Sequence, residues 1–329
     1  MASHTIRVGI AGYGNLGRGA LAALARCPDM RLAGVFTRRD PASLRLPDPA
    51  TPVLSLDEAE AHRDDIDVMI LCGGSKNDLP AQGPERARSF TTVDSYDTHA
   101  RIPRYFEAID TAARAHGNLS IIAVGWDPGL FSINRLMGEA ILPAGATYTF
   151  WGRGLSQGHS DAIRRVPGVR AGVQYTIPVP EAVARVRAGE QPSLSPREKH
   201  QRECLVVLEP GADARAVEQA IVTMPDYFAD YDTTVRFIDE ATLAREHAGM
   251  PHGGFVIRSG QTASAERQTM EFSLKLDSNP AFTSSVLVAY ARAAWRMKAA
   301  GETGARTVFD VAPGLLSPRS PEALREALL

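Results

Sequence analysis

The sequence predicts an α/β protein with a Rossmann-type, doubly wound parallel sheet and a second α+β domain around a mixed sheet. Three observations predict this fold class. Apolar, strand-like runs alternate with helical patterns over the first third of the chain. The pattern G-x-G-x-x-G directly follows the first of these runs. Beyond about residue 126, longer segments with the two-residue alternation of half-buried strands predominate.

The first domain is predicted to consist of apolar strands separated by helices. Residues 67–72 read Asp-Val-Met-Ile-Leu-Cys, a nearly continuous apolar run of the kind found in parallel strands that are covered on both faces. The predicted strands are Ile6–Ala11, Arg31–Phe36, Asp67–Cys72, Thr91–Val93 and Leu119–Val124, and the predicted helices are Leu16–Cys27, Pro84–Arg88 and Ile102–His116. We therefore expect a dinucleotide-binding domain over residues 1–125.

The second domain, over residues 126–279, is predicted to mix strands and helices. A helix over Leu130–Ile141 is expected to follow the turn at Pro128-Gly129. The predicted strands are Tyr148–Trp151, Gln174–Ile177, Glu203–Leu208, Thr233–Ile238, Gly254–Ser259 and Gln268–Leu276. Further helices are predicted over Glu181–Ala188 and Ala214–Val222 and, beyond this domain, over Ser284–Ala300, and a loop is predicted over Glu190–Pro196.

Composition excludes several functional classes. The 329 residues give room for two domains, and the net charge of −2 provides no basis for binding nucleic acid or an anionic membrane. No apolar stretch approaches 18 residues, and the first ten residues lack the basic-then-apolar order of a secretory signal. The cysteines are widely spaced and form no metal-type cluster, so we expect three reduced, mostly buried thiols in a cytoplasmic protein: Cys27, Cys72 and Cys204.

The glycine-rich segment at residues 12–17 predicts a dinucleotide site because it lies between a strand and a helix. Gly12 permits the tight turn, Gly14 lets a pyrophosphate approach the backbone, and Gly17 allows close packing of the helix on the strand. The N-terminus of the helix offers unpaired N–H groups to the phosphates. A glycine turn without a ligand is the alternative.

The end of the second predicted strand favours NADP over NAD. An acidic residue there would accept a hydrogen bond from the ribose 2′-hydroxyl of NAD. This chain has Thr37, Arg38 and Arg39 instead, and guanidinium groups bind phosphate through two charge-assisted hydrogen bonds. Asp40 leaves the NAD alternative open if the strand is longer than predicted. A small-residue turn after the third strand, at Cys72, Gly73, Gly74 and Ser75, could also lie beside the cofactor.

Several long strings resemble the meso-diaminopimelate dehydrogenase family. They include GYGNLGR at residues 12–18, VDSYDTH at 93–99, GWDPGLFSINR at 125–135 and FWGRGLSQGHSDAIRRVPGV at 150–169. Others are MPDYF at 224–228, FIDEAT at 237–242, HAGMPHGG at 247–254 and KLDSNPAFT at 275–283. The resemblance covers residues 6–318. It implies an NADP-dependent oxidation of the D-centre of meso-2,6-diaminopimelate to L-2-amino-6-oxopimelate, ammonia and NADPH, a reaction whose reverse serves lysine biosynthesis.

The resemblance also implies a set of site residues and an assembly. Asp127 and Asp97 are implied in catalysis, and the substrate-binding residues are implied to be Trp126, Trp151, Gln157, Gly158, Thr176, Arg202, His252 and Asn279. The cofactor residues are expected to be Gly12, Tyr13, Gly14, Asn15, Leu16, Gly17, Thr37, Arg38, Arg39, Cys72, Gly73, Gly74 and Ser75. A homodimer is expected, and residues 280–329 are expected to complete the first domain. The chain departs mildly from the family pattern at Gly73 and Thr98.

The residues fit the chemistry that this substrate requires. A distant carboxylate needs a cation and hydrogen-bond donors, which Arg202, Thr176, His252 and Asn279 can supply. The amine must lose a proton before hydride transfer, and Asp127 or Asp97 can take it. A relative with a broader range of D-amino acids, or an NADP-binding sensor without catalysis, are the alternatives. As lone residues, Asp127 could equally cap a helix, Trp151 could be core, and Arg202 could be an ordinary surface charge.

Overall fold

The computed structural model describes residues 5–264 and 266–329. The first four residues, part of the segment in which no secretory signal is expected, lie outside the described residues. The strands are β1 Ile6–Ala11, β2 Met30–Thr37, β3 Val53–Ser55, β4 Val68–Leu71, β5 Thr92–Asp94, β6 Leu119–Ile121, β7 Ala144–Trp151, β8 Gly154–Leu155, β9 Val169–Pro178, β10 His200–Leu208, β11 Asp232–Phe237, β12 His252–Ala263, β13 Glu266–Leu276 and β14 Gly304–Arg306.

The helices connect these strands in chain order. They are α1 Asn15–Leu24, α2 Leu79–Ala87, α3 Ile102–Ala115, α4 Leu130–Ile141, α5 Gln157–Arg164, α6 Pro180–Arg187, α7 Pro196–Lys199, α8 Ala214–Val222, α9 Glu240–Glu246, α10 Asn279–Ala299 and α11 Pro321–Leu328. In the part of the chain that the structure describes, no helix is long and apolar enough to cross a membrane.

The chain forms two compact units. Unit 1 combines the chain up to Ile133 with Pro280–Leu329, and unit 2 is Asn134–Asn279. The sequence placed the first boundary at residue 125, and the unit boundary lies inside α4, eight residues further along. Each unit has its own buried apolar clusters.

Unit 1 is built on a parallel sheet with the strand order β14-β6-β5-β4-β1-β2-β3 among the described residues. Every pairing within it is parallel, from β1–β2 to β6–β14. The apolar residues of β1 and β4 are almost completely buried because helices cover both faces of such a sheet. The Rossmann-type fold class is therefore confirmed.

Unit 2 contains two sheets in its described part. One has the order β11-β10-β9-β8, with β10–β11 parallel and the other pairs antiparallel, and the second is the antiparallel sheet β13-β12-β7. Both agree with the α+β domain and mixed sheet expected from the sequence. The register of β9 and β10 places Thr176 directly opposite Arg202, which matters for the site.

Several element boundaries differ from the prediction. Strand β1 and the helices α4 and α8 have the predicted bounds, whereas α1 ends at Leu24 and β6 ends at Ile121, three residues earlier than predicted in each case. The predicted strand over Leu119–Val124 is too long because the backbone turns sharply at Ala123, whose φ is 55°. The short strands β3 and β14 were not predicted, since three residues are too few for a recognisable alternation.

The three cysteines differ in how far they are buried. All three are free, but only Cys204 is buried, while Cys27 and Cys72 are half-buried. Cys72 is more open because it lies just beyond the end of β4, at the rim of a cavity.

Candidate active site

A cavity of about 480 Å³ lies in unit 1 at the carboxyl ends of β1, β2 and β4. Ligands bind at this edge in open α/β sheets. Nine of the predicted cofactor residues line it: Gly12, Tyr13, Gly14, Asn15, Thr37, Arg38, Arg39, Cys72 and Gly73. Leu16, Gly17, Gly74 and Ser75 are not among the lining residues.

The glycine turn has the geometry that a phosphate cradle requires. Gly12 has a φ of +100°, a conformation that glycine adopts without strain. A side chain at Gly17 would clash, since its Cβ would lie 2.1 Å from the carbonyl oxygen of Gly12. By contrast, a Cβ at Gly14 would have no heavy atom within 4 Å among the described residues, so open space lies in front of this backbone. Gly14 also precedes α1, whose N-terminus has no side-chain cap in the described structure.

The arginine pair is held in place by protein groups. The Arg39 guanidinium donates to the carbonyl of Tyr13 at 2.6 Å, and its backbone N–H donates to the Thr37 hydroxyl at 3.0 Å. Arg38 forms a two-pronged ion pair with Asp78, at 2.7 and 3.1 Å. Both arginines therefore line the cavity at the end of β2.

The structure adds three polar residues to this cavity that the sequence did not single out: Arg18, Asp78 and Gln82. Although partial burial acts in the opposite direction, hydrogen bonds from the Gly74 N–H and from Arg38 lower the pKa of Asp78. The carboxylate is therefore charged and partly neutralises Arg38. Asp78 lies at the start of α2, the helix that follows β4. Because ligands bind at the carboxyl ends of parallel strands, its place in the sequence could have marked it as a candidate site residue.

Asp40 does not extend the second strand. Strand β2 ends at Thr37, and the Asp40 carboxylate accepts a hydrogen bond from the N–H of Ala42 at 3.0 Å, which caps a short 3₁₀ turn. The residue that left the NAD alternative open is thus engaged in a local turn, and the arginines lie at the strand end.

The two candidate catalytic carboxylates lie on neighbouring loops of unit 1. Asp127 is half-buried and follows β6, whereas Asp97 is exposed and follows β5. The Asp97 N–H donates to the hydroxyl of Ser75 at 2.8 Å, so the third-strand turn contacts the loop of Asp97. Trp126 is buried and its ring packs edge-on against Phe131 at 5.3 Å.

Arg202 is the centre of the substrate-binding residues in unit 2. Only 6% of the residue is exposed, and its guanidinium lies 3.9 Å above the ring of Tyr231. Its Nη1 donates to the Thr176 hydroxyl, while its Nε is buried without a partner among the described residues. Burial lowers the pKa of Arg202, and Tyr231 acts in the opposite direction. No carboxylate forms an ion pair with it in residues 5–264 and 266–329.

The Thr176 hydroxyl can donate a hydrogen bond to a ligand. It accepts from Arg202 and also from the side-chain amide of Gln174, at 3.3 Å from Nε2. A hydroxyl has two acceptor positions and one proton, so its proton remains for a third group. Gln174 is fully buried, and its Oε1 lacks a partner in the described structure. This glutamine was not predicted, because a lone polar residue in an apolar strand carries no motif.

Trp151 and His252 adjoin this centre. The Trp151 ring stacks on His200 at 5.2 Å, and the backbone N–H of Trp151 donates to His200 Nε2 at 2.8 Å. Burial, and then the charges of Arg202 and Lys199, lower the pKa of His200 to about 3, so this ring is a neutral acceptor. The His252 ring packs against Gly154, where a Cβ would lie 2.4 Å from the His252 Cγ. Gly154 is in turn the strand neighbour of Thr176.

Met250 forms hydrogen bonds with two further predicted residues, Gln157 and Asn279. Its sulfur accepts from Gln157 Nε2 at 3.0 Å, and its carbonyl accepts from the Asn279 N–H at 2.9 Å. Gly158 follows Gln157 in the first turn of α5, and a Cβ added to it would have no heavy atom of another described segment within 4 Å. Unit 2 therefore brings its predicted residues into one connected neighbourhood.

Comparison with known proteins identifies relatives along the whole chain. A family model described as the diaminopimelic acid dehydrogenase C-terminal domain matches residues 125–278. The meso-diaminopimelate D-dehydrogenase of Ureibacillus thermosphaericus is 63% identical over 324 residues, which cover 98% of this chain and 99% of the relative.

Solved structures give the same result. A six-substitution mutant of the Clostridium tetani meso-diaminopimelate (DAP) dehydrogenase with DAP is 53% identical, has a TM-score of 0.93, and matches over 98% of this chain and 100% of its own. The Corynebacterium glutamicum DAP dehydrogenase in complex with DAP is 49% identical, with a TM-score of 0.92 and 99% of each chain covered. An engineered D-amino acid dehydrogenase bound to NADP⁺ is 47% identical, with a TM-score of 0.87 over 99% of this chain and 100% of its own.

Proposed function

This chain belongs to the diaminopimelate dehydrogenase family, and from that premise we propose that it oxidises the D-centre of meso-2,6-diaminopimelate with NADP⁺. The C–H bond and one N–H bond at this carbon break, and the nitrogen leaves as ammonia after water adds to the imine. The products are L-2-amino-6-oxopimelate, ammonia, NADPH and a proton. The reaction is reversible and, in the reductive direction, supplies diaminopimelate for lysine biosynthesis.

The observation that carries the proposal is the buried guanidinium of Arg202. A buried charge is costly unless an opposite charge or several hydrogen bonds compensate for it. Among the described residues the Arg202 guanidinium donates to the Thr176 hydroxyl and contacts Tyr231, and its Nε has no partner. A carboxylate bound here would complete the ion pair and would also accept the proton of Thr176. Such a site suits the distal carboxylate of a dicarboxylic diamine.

The other proposed substrate residues of unit 2 gain support from the mutant of the Clostridium tetani enzyme. Its six substitutions replace a glutamine, a threonine, an arginine, a proline, a histidine and an asparagine. Residues of the same types, in the same order and at the same spacing, occur in this chain at Gln157, Thr176, Arg202, Pro251, His252 and Asn279. This supports treating the six as one set, to which Trp151 and Gly158 are added by the family motif.

The residues of unit 1 fit NADP. When bound, the cofactor supplies the nicotinamide ring that accepts the hydride. We propose that the backbone at Gly14 and the N-terminus of α1 hold the pyrophosphate, since open space and uncapped N–H groups meet there. Arg38 and Arg39 hold the 2′-phosphate, with Thr37 as a further donor. Tyr13, Asn15, Cys72 and Gly73 line the same cavity. Leu16, Gly17, Gly74 and Ser75 are proposed to adjoin the cofactor only as chain neighbours of these lining residues.

Asp127 is the proposed proton acceptor. An ammonium nitrogen has no lone pair to form the imine, so the amine must first lose a proton. The half-buried carboxylate of Asp127 takes this proton, directly or through water, and the exposed carboxylate of Asp97 orients the amine. The buried ring of Trp126 precedes Asp127 and keeps bulk water from its loop.

We further propose that the protein is a cytoplasmic homodimer. Helix α4 leaves three large apolar side chains about half exposed: Leu136, Met137 and Ile141, at 45, 47 and 51%. Exposed apolar groups of this size on one helix support a contact with a second copy.

The substrate assignment is tested by following NADPH formation with the meso, L,L and D,D isomers of diaminopimelate and with simple D-amino acids. We expect the meso isomer to have the highest kcat/KM, with no turnover of the L,L isomer, which has no D-centre. A folded protein that binds NADP⁺ and leaves the meso isomer unchanged would contradict the proposal. Comparable kcat/KM values for D-alanine and the meso isomer would instead favour a broad D-amino acid dehydrogenase.

The cofactor assignment is tested by the double variant Arg38→Ala/Arg39→Ala. Because each guanidinium makes charge-assisted hydrogen bonds to the 2′-phosphate, we expect the Kd for NADP⁺ to rise by about 100-fold and that for NAD⁺ by no more than about threefold. Arg45→Ala is the matched control, since Arg45 does not line the cavity and, among the described residues, donates to the carbonyls of Ala42 and Leu44. Equal losses for the two cofactors would overturn the choice of NADP.

A further inference from the structure

A buried carboxylate that the proposed mechanism does not use lies beneath the two candidate catalytic loops. Asp94 ends β5 and is 0% exposed. It therefore cannot touch substrate, and it does not line the cofactor cavity described above. Burial raises its pKa to about 6, while three hydrogen bonds act in the opposite direction. A group as costly to bury as this one needs a structural reason.

The first of its contacts fixes the loop that carries Asp97. Oδ1 of Asp94 accepts a hydrogen bond from the N–H of Tyr96 at 2.9 Å. The Tyr96 ring stacks on the ring of Tyr105 at 4.0 Å, and the Tyr105 hydroxyl donates to Oδ2 of Asp94 at 2.8 Å. The residue immediately before Asp97 is thus held both by its backbone and by its ring.

The second contact fixes the loop that carries Asp127. The same Oδ1 accepts from the N–H of Ala123 at 3.3 Å, and the backbone carbonyl of Asp94 accepts from the N–H of Val124 at 2.9 Å. Ala123 has a φ of 55°, which residues other than glycine rarely adopt. A strained backbone of this kind persists only where the surroundings hold it, and such strain is often found at active sites. Here Asp94 holds the turn that leads into Trp126 and Asp127.

We propose that Asp94 is a positioning residue, whose Oδ1 joins the loop of Asp97 to the loop of Asp127 in one fixed arrangement. One oxygen atom accepts from both loops, so a shift of either loop breaks a hydrogen bond in a place that water does not reach. The two carboxylates then keep a constant separation during turnover. This inference rests on the proposed function, because Asp97 and Asp127 are the groups that it positions.

The test compares Asp94→Asn and Asp94→Ala with the wild type. Asparagine keeps a neutral acceptor at the same place, whereas alanine removes it. Since misplacing a catalytic group by about 1 Å can cost about 100-fold in rate, we expect kcat for meso-diaminopimelate to fall by roughly 100-fold in Asp94→Ala and by roughly threefold to tenfold in Asp94→Asn. The Kd for NADP⁺ should change by no more than about twofold, because the phosphate cradle makes no contact with Asp94 among the described residues.

Thr92→Val is the matched control. Thr92 lies on the same strand and donates to the Ser120 hydroxyl at 2.8 Å, a buried hydrogen bond between β5 and β6 that touches neither loop. It should lower stability and leave kcat unchanged. A second measurement, hydrogen exchange of the amides in residues 122–127, should be faster in Asp94→Ala than in Thr92→Val.

The outcomes distinguish a failure of the proposed function from a failure of the positioning role of Asp94. If the wild type does not oxidise meso-diaminopimelate, the proposed function fails, and the exchange measurement alone still decides whether Asp94 holds the loop. If the wild type is active and Asp94→Ala has the kcat of Thr92→Val, the positioning role is wrong. If Asp94→Ala does not fold, the kcat of Asp94→Asn decides the question. A value within about twofold of the wild type would overturn the inference.

Discussion

Replacing Arg202 with methionine should lower kcat/KM for meso-diaminopimelate by about 100-fold or more. Losing one partner of a buried ion pair costs about 2–5 kcal/mol, and the substrate carboxylate would lose its only proposed cationic partner. Activity on a small D-amino acid without a distal carboxylate should change much less. The variant should also unfold at the same temperature or higher, because the ligand-free protein no longer buries a guanidinium without a carboxylate partner. Steady-state kinetics with both substrates and a thermal melt check these results.

Two further variants sharpen this test. Arg202→Lys keeps the charge but lacks the planar group that lies over Tyr231, so it should recover only part of the lost kcat/KM. Arg170→Met removes an exposed ion pair with Glu240 in the same unit and should behave like the wild type. If the ratio of kcat/KM for meso-diaminopimelate to that for D-alanine is unchanged in Arg202→Met, Arg202 does not read the distal end of the substrate.

Asp127→Asn should lower kcat by about 100- to 1,000-fold, the range that general acid–base groups commonly contribute. The asparagine is nearly isosteric but cannot accept the proton of the substrate ammonium. Binding of NADP⁺ should be unaffected, since Asp127 does not line the cavity of unit 1 that we propose holds the cofactor. Single-turnover kinetics with the meso isomer would measure the chemical step apart from product release.

Substitutions of two other carboxylates serve as comparisons for Asp127→Asn. Asp97→Asn should lower kcat by only about tenfold, because an exposed side chain loses an orienting hydrogen bond rather than the proton acceptor. Asp48→Asn, in an exposed turn where Asp48 accepts from the Ala50 N–H, should have no effect. A larger loss in Asp97→Asn than in Asp127→Asn would exchange the two proposed roles.

Much of the fold could be predicted from the sequence because local patterns determine it. Apart from Arg7, the runs at β1 and β4 are apolar, and this identifies parallel strands that are buried on both sides. The end of α1 and the three-residue strands β3 and β14 could not be predicted, since capping geometry and pairing with a distant strand decide them. The early end of β6 at Ile121 is of the same kind, because the turn at Ala123 contacts Asp94, twenty-nine residues away.

The sequence by itself determined the doubly wound sheet, the NADP-type strand end and, through long family motifs, the chemistry to expect. Only the tertiary structure decided which side chains meet. The pairing of β9 with β10 sets Arg202 against Thr176, and packing encloses its guanidinium without a carboxylate partner among the described residues. The tertiary structure likewise decided the ion pair of Arg38 with Asp78 and the hydrogen bond from the Ala123 N–H to Asp94. Such contacts depend on strand register and burial, which are set by the whole chain, so local sequence patterns do not determine them.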